Sequence, residues 1–300
     1  MAWATQREAD ILAGVGVSKR ASNYTLKDAL EKYKAEVTPG KAGRRWEEIR
    51  LDKFINDLEF VGERIADIEA DQIAAWRDAR LKVIKPPSVR REMTLLSSVF
   101  EHAKSPWKWR STNPVREVKR PSNGRPRDRR ISPDEERRLL EELGYVEGAA
   151  PETKMQELAY VFLIALETAM RQGEILGLVR ERVHLKARYV DLDKTKNGDA
   201  RKVPLSTRAT ALVKVLADGA GERQKLFTLA SGSADALFRK VRDRLKIDGL
   251  HFHDTRHEAT TRLARKLDVL DLARMTGHRD PRSLMVYYNA TATEVASRLD

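Results

Sequence analysis

The chain has 300 residues, 41% hydrophobic and 34% charged, which fits a soluble globular protein of about two domains. It contains no Cys, excluding disulfides, Fe–S clusters and thiolate zinc sites and suiting a reducing cytosol. No apolar run approaches the roughly 20 residues of a membrane helix. With 57 Lys and Arg against 45 Asp and Glu, the formal net charge is +12; such an excess suits nucleic acid or an anionic membrane surface and does not choose between them.

Taken in chain order, the first 118 residues read as helical. Thr25 followed three residues later by Asp28 has the form of a capping box and opens a helix bearing Leu26, Leu30 and Tyr33. Trp46, Ile49, Phe54 and Leu58 suggest a second helix, with Leu51 and Ile55 blurring its stripe, and Ile68, Ile73 and Trp76 mark a third. After Pro86-Pro87-Ser88, the positions Val89, Met93, Leu96, Phe100 and Ala103 lie on one helical face. Trp107, Trp109 and Asn113-Pro114 close a small helical bundle whose tryptophans read as core and whose outer faces carry Arg44, Arg45, Arg90 and Arg91.

Residues 119–130, KRPSNGRPRDRR, hold six basic groups (Lys119, Arg120, Arg125, Arg127, Arg129, Arg130) against one acid. Two Pro and one Gly make this an extended connector, either merely solvated or a strap following a phosphate backbone. Beyond it, Ser132-Pro133-Asp134-Glu135 is a helix start, and a longer apolar helix follows near residues 158–168. Short strands are expected at 183–185, 189–192 and 202–205, with Asn197-Gly198 turning the second into the third. Helices resume near 207–217, 234–246, 254–266, 270–275 and 281–288. The fold class is therefore mainly α with a small antiparallel β-sheet (α+β).

HFHDTRH at 251–257 first suggests a metal site, but no second cluster of His and carboxylates completes one. Asp191 and Asp193 alone are a weak magnesium signal, and neither a phosphate-cradling GxxxxGK[ST] loop nor a GxSxG turn occurs. Phosphate chemistry without a metal requires fixed cations, and Arg supplies a permanently charged fork. Arg256 lies three residues after His253, and Glu174 three after Arg171, where it would orient that guanidinium.

Thr168–Leu178 (TAMRQGEILGL), Lys196, His253-x-x-Arg256-His257, Gly277-His278 and Tyr287, nine residues after His278, occur in this order. Together they closely resemble the tyrosine recombinase or phage integrase family over nearly the whole chain. The resemblance implies a helical core-binding domain over 21–118, a basic linker over 119–130 and a catalytic domain over 131–300. Residues 1–20 resemble the end of an arm-binding domain, which suggests a truncated chain or one naturally without that domain. It implies site-specific recombination of the kind that integrates or excises a prophage, through a 3′-phosphotyrosyl intermediate with Tyr287 as nucleophile. Arg171 and Arg256 would clamp the scissile phosphate, Lys196 protonate the leaving 5′-oxygen, His253 assist proton transfer and His278 hydrogen-bond the phosphate. Glu174 would support Arg171, and His257 would be structural. Tyr288 competes with Tyr287 and Lys194 with Lys196; the nine-residue spacing and the TKNG turn favour Tyr287 and Lys196.

The implied partner is double-stranded DNA at core sites, bound by a tetramer of a chain that is a monomer when free, with accessory bending or directionality proteins, in the bacterial cytoplasm at the nucleoid. No metal, cofactor or membrane enters this reading. The rivals are a helix-turn-helix regulator, which leaves Arg171, Lys196 and Tyr287 unexplained, and a metal-dependent nuclease.

Overall fold

The computed structural model describes residues 23–41, 43–124, 127–193 and 200–288, and the chain divides into two compact units, 1–126 and 127–300. The expectations for residues 1–20, Arg125, Lys194, Lys196 and the Asn197-Gly198 turn fall outside the described residues.

In the first unit, helices α1 (Leu26–Glu36), α2 (Arg44–Asp57), α3 (Ala70–Leu81) and α4 (Pro86–Lys104) surround one core. Thr25 and Asp28 form the reciprocal capping box that opens α1. The buried face of α2 differs from the expected one: Leu51 and Phe54 face the core, whereas Ile49 is 58% exposed. A 3.6-residue period cannot bury Ile49 and Leu51 together, and the face closing on α1 selects Leu51. Trp109 is buried in the core, and Trp46, Trp76 and Trp107 pack against it. Asn113 bolts the end of the unit to α4 by donating to the Ser97 carbonyl at 2.9 Å and accepting from the Val115 N–H.

In the second unit, Ser132 and Glu135 cap α5 (Pro133–Glu142), and Thr153 and Gln156 cap α6 (Lys154–Thr168). Every residue from Leu158 to Leu166 is buried, so α6 is the unit's central helix. After the short helix α7 (Gln172–Leu176) come β1 (Val183–His184), β2 (Tyr189–Leu192) and β3 (Arg201–Pro204). These pair antiparallel in sequence order, with Val183 opposite Val190 and Leu192 opposite Arg201. Helices α8 (Thr207–Asp218), α9 (Ser231–Arg244), α10 (Asp254–Ala264) and α11 (Val269–Thr276) follow, and α10 packs along α6. Pro281–Tyr287 forms a 3₁₀ rather than an α-helix, with Asp280 accepting the Arg282 N–H at its start. Among the described residues no helix is long and apolar enough to cross a membrane.

Candidate active site

The site is built on helix ends. Helix α6 stops at Ala169, which adopts the left-handed conformation at φ 54°. That geometry costs a non-glycine residue about 1–2 kcal/mol and turns the Ala169 carbonyl out to accept from Arg256 Nη1 at 2.5 Å. Helix α11 ends at Thr276, whose carbonyl accepts from Arg256 Nη2 at 2.7 Å. The Arg256 guanidinium, 7% exposed, is thus held by the partially negative ends of two helices. Among the described residues no carboxylate pairs with it. Burial first, and then the charge of Arg171, bring it down to about 10, so it stays cationic at neutral pH.

Arg171 precedes α7 and is braced by Glu174, which accepts its N–H and its Nη1, both at 2.9 Å. Glu174 also takes a forked pair of bonds from Arg201 of β3, at 3.2 and 2.7 Å. Burial alone would push the Glu174 carboxyl up; its bonds to Arg201 and Arg171 outweigh this and hold it below the usual range. Arg201 Nε reaches on to the Met275 carbonyl at 3.0 Å. Gly277 follows in the left-handed region at φ +73°, and a Cβ there would lie 3.1 Å from Arg201 Nη1. Glycine is needed both for the turn and for the close approach of the guanidinium. Among the described residues, Arg171 and Arg201 therefore share one carboxylate, and Arg256 beside them pairs with none. A cavity of about 200 Å³ opens beside Arg171, Gln172, His253 and Arg256, and the amide nitrogen of Gln172 lies buried without a hydrogen-bond partner among the described residues.

His253 stands at the N-cap of α10; burial and the Arg256 charge hold it below the ordinary imidazole range. His278 goes further, to about 4, through burial and the charges of Arg256, Arg171 and Arg201. Its Nδ1 lies 2.6 Å from the Thr276 hydroxyl. The His257 ring meets the Tyr287 ring edge-on at 5.1 Å. Tyr287 ends the 3₁₀ helix, half-buried; burial raises its phenol, and Arg256 pulls in the opposite direction. Tyr288 instead donates its hydroxyl to the Leu267 carbonyl at 2.9 Å.

The remaining candidates are placed differently. Arg127 makes a forked pair with Asp254 at 3.0 and 2.7 Å, Arg129 pairs with Glu135, and Arg130 forks onto Glu258 at 2.6 and 3.1 Å. In the DNA-free chain the charge of these three is matched, and two of them grip Asp254 and Glu258 within the HDTRHE segment. In the first unit Arg120 donates to Thr94, Arg90 to the Pro121 carbonyl and Arg44 to Glu48. Arg91 lies over the Trp46 ring, and Arg45 and Lys119 are exposed. Among the described residues no three His, Asp or Glu side chains gather as a metal site.

Arg201 and Thr276 escape a reading by motif. Arg201 has a signal in hindsight: it shares a strand face with buried Val203, where an inward arginine needs a carboxylate. Thr276 has none, because its role depends on the adjacent helix end.

The phage integrase family model matches residues 129–294. A candidate integrase/recombinase of Haemophilus influenzae is 34% identical over 100% of this chain and 97% of its own length. The shufflon-specific DNA recombinase of Escherichia coli is 37% identical over 94% of this chain and 73% of its own. In fold, the chain is similar to the Tn1549 transposon integrase (residues 82–397) in complex with circular intermediate DNA, with a TM-score of 0.70 at 16% identity over 92% of this chain and 99% of that one. A motif order carried by one cationic site, a family match over more than half the chain and these relatives agree: the chain belongs to the phage integrase family, the tyrosine recombinases.

Proposed function

We propose that this site-specific DNA recombinase uses Tyr287 to attack the scissile phosphodiester, with Arg171 and Arg256 holding the non-bridging oxygens. The observation that carries this reading is the mismatch of charge. Three guanidiniums gather around one carboxylate, with Arg171 and Arg201 bonded to Glu174 and Arg256 paired with no carboxylate among the described residues. Tyr287 lies within the field of Arg256, so the site is short of negative charge where a phosphoryl transition state would supply it.

In the proposed reaction the Tyr287 oxygen forms a bond to phosphorus as the bond to the 5′-oxygen breaks. The phenol proton passes to His253, whose lowered affinity for protons leaves it neutral and free to accept one. The resemblance assigns Lys196 as donor to the leaving 5′-oxygen. One P–O bond replaces another, so the 3′-phosphotyrosine keeps the energy of the phosphodiester and a 5′-hydroxyl rejoins the strand by the reverse step. Glu174 fixes Arg171 and Arg201, while Tyr288, with its hydroxyl committed to Leu267, is structural. Burial, then the charge of Arg130, hold His257 below the ordinary imidazole range, and it supports the nucleophile's ring.

The substrate in this reading is duplex DNA at core sites, exchanged by four protomers on two duplexes, during integration or excision of a mobile element in the cytoplasm. Accessory bending or directionality proteins are further partners in the same reading. Two solved structures of one relative in fold support the assembly: lambda integrase has been captured as a dimer bound to a core site and as a tetramer bound to a Holliday junction. The test is a nicked core-site suicide substrate incubated in EDTA. A covalent adduct lost in Tyr287→Phe and kept in Tyr288→Phe is expected. The reverse pattern reassigns the nucleophile, and binding without cleavage favours a regulator.

A further inference from the structure

Thr276 is fully buried, and its hydroxyl oxygen lies 2.6 Å from the Leu272 carbonyl and 2.6 Å from His278 Nδ1. A hydroxyl has one proton to give. The Leu272 carbonyl can only accept, so the proton goes there, and the short contact with Nδ1 is favourable only if Nδ1 itself donates. A neutral imidazole carries a single N–H. His278 in the DNA-free chain is therefore the Nδ1–H tautomer, and Nε2 carries a bare lone pair.

That tautomer does not suit a phosphate, whose non-bridging oxygens are all acceptors. A lone pair facing them repels; only a protonated Nε2 attracts. We propose that Thr276 makes the engagement of His278 with the scissile phosphate proton-coupled: with Nδ1–H committed to Thr276, His278 takes one proton from solvent onto Nε2 as the phosphate enters, binds it as imidazolium, and returns the proton when the phosphate leaves. The inference rests on the reading of His278 as a phosphate ligand and adds Thr276 as its positioning residue.

The charges around His278 fit this exchange. Arg256 of α10, Arg171 ahead of α7 and Arg201 of β3 bear on it, and Glu174 is occupied by the last two. Asp280, on the same loop, is taken by Arg282, and the 3₁₀ segment presents Tyr287 to the same cluster. With the site empty these cations keep His278 neutral; an entering phosphate anion offsets them and favours the imidazolium. Thr276 also ties the two phosphate ligands together, since its carbonyl holds Arg256 while its hydroxyl holds His278.

The first test needs no DNA. Long-range ¹H–¹⁵N correlation spectra of the ¹⁵N-histidine-labelled full chain at neutral pH, with His278→Gln for assignment, are expected to show the proton on Nδ1. A proton on Nε2 in the wild-type chain overturns the proposal. In Thr276→Val, which keeps the shape and loses the hydroxyl, the tautomer is expected to shift toward Nε2–H, while Thr276→Ser retains the wild-type spectrum. The second test is single-turnover cleavage of the nicked substrate across pH. Wild type and Thr276→Ser are expected to lose about tenfold in rate per pH unit above the bound-state titration of His278. Thr276→Val, in which neutral Nε2–H can donate, should lose less than about twofold over the same range. Superimposable profiles for wild type and Thr276→Val overturn the coupling. Persistence of the adduct in Tyr287→Phe would instead overturn the nucleophile assignment and leave the spectroscopic result untouched.

Discussion

Two groups of arginines in the second unit meet opposite fates. Along residues 127–130, Arg127, Arg129 and Arg130 each find a carboxylate, in Asp254, Glu135 and Glu258. At the helix ends, Arg171 and Arg201 share Glu174, and Arg256 is met only by the carbonyls of Ala169 and Thr276 among the described residues. Helix-end carbonyls hold a guanidinium without cancelling its charge. The first group closes a seam and the second leaves an anion seat, so counting arginines misleads where counting their partners does not. Within the basic connector, whose sequence admits a strap on DNA, Arg127 and Arg130 also pair with Asp254 and Glu258 of the HDTRHE segment.

The sharpest way to break this contrast is at Arg256. Arg256→Lys keeps the charge and cannot span two carbonyls and a phosphate with one planar fork. We expect single-turnover cleavage to fall by at least about 100-fold, with core-site affinity in gel-shift assays changed far less. A variant that cleaves at the wild-type rate would mean that the anchoring of this fork is irrelevant.

At the seam the expected loss is in stability. Glu258 is buried and accepts from Arg130, Arg262 and the Ile131 N–H. Burial pushes its carboxyl up, but these bonds win and hold it at about 2. Glu258→Gln leaves Arg130 and Arg262 without their shared anion and should cost about 3 kcal/mol in urea unfolding, while the cleavage rate per folded molecule changes little.

Acid should expose the seat and the seam in sequence. His278 is held below its unfolded value of about 6.5, as are His253 and His257. Between that value and about 4, the unfolded chain binds protons that the folded one refuses. Stability is therefore greatest above pH 6.5 and falls as pH drops toward 4. Glu258 adds a second loss only below about pH 4.5, as pH approaches its folded value near 2. Thermal melts of wild type and His278→Gln check the first window, where the variant should show a shallower slope.

The smallest expected effect concerns salt. Neutralising Arg45 and Arg91, which no carboxylate matches among the described residues, should flatten the dependence of log affinity on log salt. The slope should fall by about one for each phosphate that is no longer neutralised. Neutralising Arg127, Arg129 and Arg130 should reduce it less. Equal reductions would support the strap reading.

The sequence made local features legible because their causes are local. The capping boxes at Thr25 and Ser132 appear as expected, since each partner is three residues away. The stripe of α2 differs at Ile49 because its buried face depends on which neighbour closes over it. In the site, the Arg171–Glu174 pair is readable at a spacing of three residues. Arg201 joins the same carboxylate from 27 residues away across a turn in the sheet, and no local pattern announces that. The 3₁₀ form of Pro281–Tyr287 is equally hidden, because three- and four-residue periods cannot be separated over seven residues.

The central claim, that this cation-rich site serves Tyr287, is tested most directly by trapping the adduct in EDTA, digesting it and locating the attached nucleotide by tandem mass spectrometry. The account predicts a 3′-linked nucleotide on the Tyr287 oxygen and none on Tyr288. A nucleotide on Tyr288, or strand cleavage that leaves no nucleotide on the protein, would contradict it.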